Sequence, residues 1–385
     1  MNRMIVMSLR PSRRAFSLSS RCLRWGASLA LSLFLCAPAQ AQTGCVPVAV
    51  TPETPGKDIC YGTAAWREQT LGGTWQQQRL DFYRAPGVGG GTLAPLIVWA
   101  HPNGSSKSIV PGSAADNVLL QPALAAGFSF ASIEFRHPVA NANEADSPTN
   151  PGVPHYDLAR ALQFLRANAA ALGIDRRNVF VVGGSRGTLS LWTVLQNDMA
   201  IPTSPDPVAR QSTRANAAFA YNAQTTYDGR EFADLFLVEA DRPAFKAAWQ
   251  TQHPKYAQYG SSIQSASADD PPVMLRYDQS FIGRLVTQAE LANVDYVHYP
   301  DYGLAMCAAY RMAGIGARCT VEAGPQFDGM AGYSGYVDFF RRHLRGREKP
   351  VLPADPAAAS APAPRKRGAA GATAENGPAR LLRSR

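Results

Sequence analysis

Short apolar runs recur along the middle of the chain, and helical or polar stretches separate them. Continuous apolar runs predict strands that are covered on both faces, as the strands of a parallel sheet are. In residues 75–83 apolar and polar side chains alternate instead, which predicts an early antiparallel strand. Because strands alternate with helices, we expect one α/β domain with a mostly parallel eight-stranded sheet and helices on both faces. The apolar runs lie at residues 96–99, 128–135, 179–182, 217–221, 270–277 and 317–321.

Helical periodicity appears between these runs. Asp157 begins an amphipathic helix that Gly173 ends, and its core face carries Leu158, Leu162, Leu165 and Leu172. Residues 116–126 and 336–344 predict two further helices. Residues 229–268 are helical in pattern and rich in Phe and Tyr, and we interpret them as an insertion or lid.

One strand runs directly into a serine between two glycines. Residues 179–182 are apolar, and Gly183, Ser185 and Gly187 follow in the G-x-S-x-G spacing of a nucleophile elbow. The turn from strand to helix in such an elbow is so sharp that side chains at both glycine positions would collide. The predicted helix of residues 188–195 begins under the serine, where free backbone N–H groups can stabilise an oxyanion. Ser185 is therefore the candidate nucleophile.

The first 41 residues have the pattern of a secretory signal peptide. They contain six arginines and no acid, then an apolar run at residues 25–36, then Ala39-Gln-Ala41. A membrane-spanning helix needs about 20 apolar residues, so the run is too short for a stable anchor. Arg13 and Arg14 fit a twin-arginine signal, and an arginine-rich Sec signal fits equally well. We expect a periplasmic or secreted protein.

The C-terminal segment differs in composition from the rest of the chain and carries much of its net positive charge. Residues 346–385 are rich in Ala, Pro, Gly and Arg, which predicts a disordered tail. The formal net charge is +9, but residues 42–345 contain 24 basic and 26 acidic residues. A nucleic-acid partner is therefore not expected. We divide the remainder into an irregular segment, residues 42–77, and the α/β domain, residues 78–345.

Four cysteines remain once the signal peptide is set aside. In an oxidising compartment an even number predicts two disulfides. Proximity in sequence favours Cys45 with Cys60 and Cys307 with Cys319 over the two other pairings. Neither a C-x-x-C motif nor a histidine cluster is present, so no metal is expected.

Several of these motifs together resemble the α/β-hydrolase superfamily, in its esterase/lipase branch related to feruloyl and acetyl esterases. The resemblance spans residues 78–344 and implies no cofactor. It implies that Ser185 is the nucleophile and that the oxyanion hole uses the backbone N–H of Arg186 with that of Asn103 or Gly104. It rests on His101-Pro-Asn-Gly104, Phe135-Arg-His-Pro138, Asp157, Gly183 to Gly187 and Asp270-Pro-Pro-Val273.

The chain differs from this family at the position of the base histidine. The family places that histidine after the eighth strand, but residues 322–329 contain none. His298 is the best alternative, because its loop follows the seventh strand on the edge where ligands bind. Asp278, which matches the family's acid, or Asp301 could orient it. His298 as an ordinary loop residue remains an alternative, His137 is a further candidate base, and His101 fits an orienting or packing role.

Two functions follow from this sequence. The first is an exported serine hydrolase that cleaves a small-molecule or polysaccharide-linked ester through an acyl-enzyme on Ser185. The second is a hydrolase-fold protein that has lost the base and binds a ligand without turnover. The intact elbow and oxyanion loop favour the first.

Overall fold

The computed structural model describes residues 44–346, apart from residues 48, 55, 69–70, 138–154, 189–196, 253–259 and 294–295. The predicted signal peptide and the helix expected at residues 188–195, beyond its first residue, lie outside the described residues. So does the predicted tail beyond Gly346.

Eight strands of the described residues form one sheet. The strands are β1 Ile59–Glu68, β2 Thr74–Tyr83, β3 Ala94–Ala100, β4 Ser129–Ile133, β5 Ile174–Gly184, β6 Ala218–Tyr221, β7 Val273–Tyr277 and β8 Cys319–Ala323. Their order in the sheet is β1-β2-β4-β3-β5-β6-β7-β8. Strands β1 and β2 pair antiparallel with each other, β2 pairs antiparallel with β4, and all other neighbours are parallel. The predicted mostly parallel eight-stranded sheet and the early antiparallel strand are confirmed.

Helices cover both faces of this sheet. The helices are α1 Gln121–Ala125, which a π-helical turn Asp116–Leu120 precedes, α2 His155–Ala167, α3 Ala169–Leu172, α4 Gly229–Phe236, α5 Arg242–Gln252, α6 Asp301–Met312 and α7 Tyr336–Arg341. Successive residues of β3 alternate between two buried clusters. Leu96 and Val98 belong to the cluster that contains residues of α2, α4 and α6, and Ile97 and Trp99 belong to the cluster that contains residues of α1 and α7. Because both faces are covered, the strands are continuous apolar runs.

The segment that we expected to be irregular contains a strand. Residues 42–77 include β1 and the start of β2, so this prediction was wrong. A register shift between Cys60 and Ala65 interrupts the pairing of β1 with β2, and the apolar and polar positions therefore lose their alternation. Tyr61 and Trp66 are nevertheless buried, which makes β1 part of the core.

The expected insertion lies between β6 and β7. Helices α4 and α5 and two 3₁₀ turns, Glu239–Asp241 and Ile263–Ser265, are found in the described part of residues 229–268. A lid role for this segment stays a prediction. Other 3₁₀ turns lie at Glu290–Asn293, Tyr296–His298, Gly316–Arg318, Pro325–Phe327 and Gly329–Tyr333.

Two disulfides have the pairings that proximity in sequence favoured. Cys45 bonds to Cys60 in β1, and Cys307 in α6 bonds to Cys319 at the start of β8. The second bond therefore ties a helix to an edge strand of the sheet.

Removing the second disulfide is expected to destabilise the fold. Cys307 and Cys319 are 12 residues apart, and closing a loop of that size contributes about 3 kcal/mol in the chain-entropy account. The Cys307→Ser, Cys319→Ser double variant should lose roughly this free energy of unfolding in a urea titration. An unchanged free energy, or two free thiols in non-reduced wild-type peptides, would contradict the expectation.

Candidate active site

The serine of the G-x-S-x-G motif sits in a strained turn at the end of β5. Ser185 has φ 47°, a left-handed conformation that a residue with a side chain rarely adopts. Its backbone N–H donates to Tyr221 O of β6 at 2.9 Å, and its carbonyl accepts from Thr188 Oγ1 at 2.7 Å. These bonds hold the turn in place, and its strained conformation is typical of a nucleophile elbow.

Close approach to β3 explains one of the motif glycines. A Cβ atom at Gly187 would lie 2.5 Å from Ala100 O, which is backbone and cannot move aside. At Gly184 a Cβ atom would meet the Tyr333 hydroxyl at 1.9 Å and Pro102 Cβ at 3.8 Å. The elbow therefore packs directly against the loop that follows β3.

A histidine lies within hydrogen-bond distance of the serine. His298 Nε2 is 3.1 Å from Ser185 Oγ, although 113 residues separate the two in sequence. His298 ends the 3₁₀ turn Tyr296–His298, which lies between β7 and the start of α6. This distance is within the reach that a general base needs to take the serine proton. The structure thus brings together Ser185 and the histidine that we considered the best alternative.

The two candidate acids contact other groups. Tyr221 Oη and Asn222 Nδ2 each donate to Asp278 Oδ2 at 3.0 Å, and Asp278 N donates to Asn222 Oδ1 at 3.2 Å. Asp301 Oδ2 accepts from Ile282 N at 3.3 Å. Neither carboxylate hydrogen-bonds to His298 in this conformation, so the orienting role of Asp278 or Asp301 stays a prediction.

An arginine of β7 contacts both β8 and the loop that follows it. Arg276 Nε and Nη2 donate to Oε2 of Glu322, its neighbour in β8, at 2.9 and 2.5 Å. Its Nη1 donates to the Ser334 carbonyl beyond β8 at 2.5 Å. The Arg276 guanidinium also lies 4.4 Å from the centre of the Phe327 ring. These contacts fold the loop against the sheet at the position where the resemblance would place the base.

The loop after β3 is fixed at both of its ends by one carboxylate. Glu134 follows β4, and its Oε1 lies 3.1 Å from His101 Nε2. Its Oε2 accepts from Lys107 N at 3.1 Å, and Lys107 O accepts from Ser132 Oγ at 2.6 Å. His101 is fully buried, and its orienting or packing role stays a prediction.

Between these two ends the loop exposes the predicted oxyanion donors. Asn103 and Gly104 are both exposed, and Gly104 has φ 70°. Since Pro102 lies against Gly184 of the elbow, the loop stands beside the nucleophile. The role of Asn103, Gly104 and the Arg186 N–H as oxyanion donors stays a prediction.

Sequence reasoning missed a buried ion pair behind the elbow. Arg186 is 1% exposed, and its Nη1 lies 3.3 Å from Oε1 of Glu68 at the end of β1. The Arg186 guanidinium also lies 5.0 Å from the centre of the Phe135 ring. Charged residues usually lie at the surface, so nothing in the local pattern indicated this pair.

His137 lies near this pair and should make stability depend on pH. Burial, and then the positive charge of Arg186, lower the pKa of His137 from 6.5 to about 4, although Glu68 acts in the opposite direction. The unfolded chain therefore binds a proton at a higher pH than the folded protein does. Stability that is present above pH 6.5 should fall as the pH drops towards 4.

We expect His137 to account for about 3 kcal/mol of lost unfolding free energy between pH 7 and pH 4. Urea titrations across this range should show a steeper loss for the wild type than for His137→Gln, which cannot take up the proton. Parallel pH profiles for the two proteins would show that the His137 side chain does not remain neutral in the fold.

Neither a metal cluster nor a spanning helix is found in the described part of the chain. No group of three or more His, Cys, Asp or Glu residues there could hold a metal ion. Within the same residues, no helix has the length and apolar character to cross a membrane.

Comparisons with known proteins place these features in context. Residues 80–277 match the family model described as BD-FAE. No curated protein matches the chain.

Solved structures similar to the chain include three hydrolases. A thermophilic esterase of Thermogutta terrifontis is 18% identical with a TM-score of 0.48, and the match covers 76% of this chain and 91% of that one. An acetyl ester-xyloside bifunctional hydrolase of Caldicellulosiruptor lactoaceticus is 17% identical with a TM-score of 0.45, covering 75% and 93%. A truncated carbohydrate esterase from gut microbiota is 16% identical with a TM-score of 0.47, covering 77% and 98%.

Proposed function

The chain belongs to the BD-FAE family of α/β-hydrolase-like esterases, and from this premise we propose that it is a serine esterase whose base is His298. The observation that carries the proposal is the 3.1 Å distance between Ser185 Oγ and His298 Nε2. A serine hydroxyl is a weak nucleophile until an adjacent base takes its proton. The family assignment supports ester hydrolysis, and this contact supports the assignment of nucleophile and base.

In the proposed reaction, Ser185 Oγ attacks the acyl carbon of the ester and its proton passes to His298 Nε2. The carbonyl oxygen becomes an oxyanion that accepts from the Arg186 N–H and from the N–H of Asn103 or Gly104. The intermediate then collapses, and the alcohol leaves with the proton from His298. Water, activated by the same histidine, hydrolyses the acyl-enzyme and releases the carboxylic acid.

Two disulfides support an oxidising compartment, in agreement with the predicted signal peptide and a periplasmic or secreted location. We propose a small-molecule or polysaccharide-linked ester as the substrate, because the predicted oxyanion donors lie on an exposed loop.

A fluorophosphonate probe tests this function, because it modifies an activated serine covalently. Peptide mass spectrometry should find the adduct on Ser185 of the wild type and none at this position in Ser185→Ala. The wild type should also hydrolyse a short-chain nitrophenyl ester. A folded protein that is neither labelled nor active would favour the ligand-binding alternative.

A further inference from the structure

Strands β1 and β2 form an antiparallel pair, which we call the ribbon. The ribbon extends past the carboxyl ends of the parallel strands, where the nucleophile lies. Only residues 80–83 of β2 pair with β4, and Leu80 is opposite Ile133, the last residue of that strand. The β2 residues before Leu80 pair with β1, up to Glu68 opposite Thr74, and of these Arg79 also bonds to the residue after β4, since its carbonyl accepts from Glu134 N at 2.8 Å. Because β4 is parallel to β3 and β5, this free part of the ribbon projects past their carboxyl ends.

One charge of this ribbon contacts the elbow. Glu68 is fully buried, and its Oε1 lies 3.3 Å from Arg186 Nη1. Its Oε2 accepts from Trp66 Nε1 at 3.2 Å, which fixes the direction of the carboxylate. Arg186 directly follows the nucleophile Ser185, so the pair ties the backbone of the elbow to β1.

A second charge of the ribbon contacts the loop after β3. Asp81 of β2 is 3% exposed, and its Oδ1 accepts from Lys107 Nζ at 2.8 Å. The same oxygen accepts from Asp58 N at 3.0 Å, and Oδ2 accepts from Lys57 Nζ at 3.1 Å. Lys107 ends the loop that carries Asn103 and Gly104, so Asp81 ties this loop to β2.

We propose that Glu68 and Asp81 are positioning residues for catalysis, which hold the two halves of the oxyanion hole at a fixed separation. Glu68 acts on the Arg186 N–H through the Arg186 side chain. Asp81 acts on the Asn103 and Gly104 N–H groups through Lys107. The antiparallel ribbon is thus part of the catalytic apparatus. The inference rests on the proposed function, because it takes these N–H groups as the oxyanion donors.

The physical reason is the strict geometry of an oxyanion hole. Its donors act by being in place before charge develops, and the loss of one donor typically costs about 10²–10³ in kcat. A donor that is displaced but still present should cost less. The ground-state ester makes weaker contacts with these donors, so KM should change little.

The test compares Glu68→Gln and Asp81→Asn with the wild type on a short-chain nitrophenyl ester. Each variant should lower kcat by roughly 10- to 100-fold, with KM within about twofold. Asp270→Asn is the matched control, because Asp270 is also fully buried and pairs with Arg214 at 3.2 Å, but precedes the amino end of β7. Its kcat should stay at the wild-type value even if its melting temperature falls.

A trifluoromethyl ketone gives a readout that a structural role alone would not change. Ser185 Oγ adds to the ketone carbon, its proton passes to His298, and the carbonyl oxygen becomes an oxyanion in the same hole. Its inhibition constant should rise in Glu68→Gln and Asp81→Asn by the factor by which kcat/KM falls. In Asp270→Asn the inhibition constant should not change.

Wild-type kcat and ketone affinity in folded Glu68→Gln and Asp81→Asn would overturn the inference while leaving the esterase function intact. An inactive and unlabelled wild type would instead overturn the proposed function. If Glu68→Gln does not fold, the Glu68→Leu, Arg186→Met double variant removes both buried charges and restores a stable core. It should show the same loss of kcat, and a wild-type kcat would again overturn the inference.

Discussion

Replacing Ser185 by alanine is expected to lower kcat on a short-chain nitrophenyl ester by roughly 10⁴- to 10⁶-fold, because it removes the nucleophile of the proposed acyl-enzyme. His298→Ala should lower kcat by nearly as much, since the serine hydroxyl then lacks the base that lies 3.1 Å away. The double variant should be no slower than either single variant, because the two residues act as one unit. Steady-state kinetics of the four proteins measures all of these values.

Other outcomes of this experiment are equally informative. Near wild-type kcat in His298→Ala, together with an inactive Ser185→Ala, would exclude His298 as the base and leave His137 or His101. Equal rates for all four proteins would contradict the serine mechanism. Some rate above that in water is expected even without the base, since an oxyanion hole and binding alone leave about 10³–10⁴-fold catalysis.

The largest loss of stability is expected from Asp157→Asn, at about 3–5 kcal/mol, because the change removes one charge of a buried ion pair with Arg136. Asp157 is fully buried, accepts from Arg136 N at 2.8 Å, and accepts from Arg136 Nη2 at 2.6 Å. Gln78 Nε2 donates to the same carboxylate at 2.6 Å. Denaturant titration gives the free energy of unfolding.

The matched control removes an exposed ion pair made by the same helix. Arg160 of α2 pairs with Asp206, but the Asp206 side chain is 41% exposed. Exposed pairs contribute at most about 1 kcal/mol, so Asp206→Asn should change stability little. Similar losses in Asp157→Asn and Asp206→Asn would show that the burial of Asp157 does not govern its contribution.

The sequence carried enough information for the central sheet and the elbow. Strands β3 and β5 are buried on both faces, so their apolar runs stand out against the polar loops, and the predicted α/β-hydrolase fold is confirmed. The elbow could be placed because its turn restricts the residues on either side of Ser185. The apolar runs and the spacing of the elbow each involve residues that are close together in the chain, so a single sequence shows them.

The features that were missed depend on contacts between distant residues. Strand β1 has a register shift after Cys60, which removes the alternation that would have indicated a strand. The pair of Glu68 and Arg186 joins residues that are far apart in sequence, and buried charges leave no periodic signal. The donors to Asp278 were also not foreseen, because Tyr221 ends β6 and Asn222 follows it, far from Asp278 in sequence; the orienting role of Asp278 stays a prediction.

The central claim is that His298 serves as the base for Ser185, and the rate of fluorophosphonate labelling tests it most directly, because this reaction needs an activated serine but no turnover. The second-order rate constant for modification of Ser185 should fall by at least about 10³-fold in His298→Ala, as expected when a base is lost. The control is His343→Ala. His343 follows α7 and contacts the Phe339 ring, so this variant should be labelled at the wild-type rate. Labelling of folded His298→Ala at the wild-type rate would contradict the account.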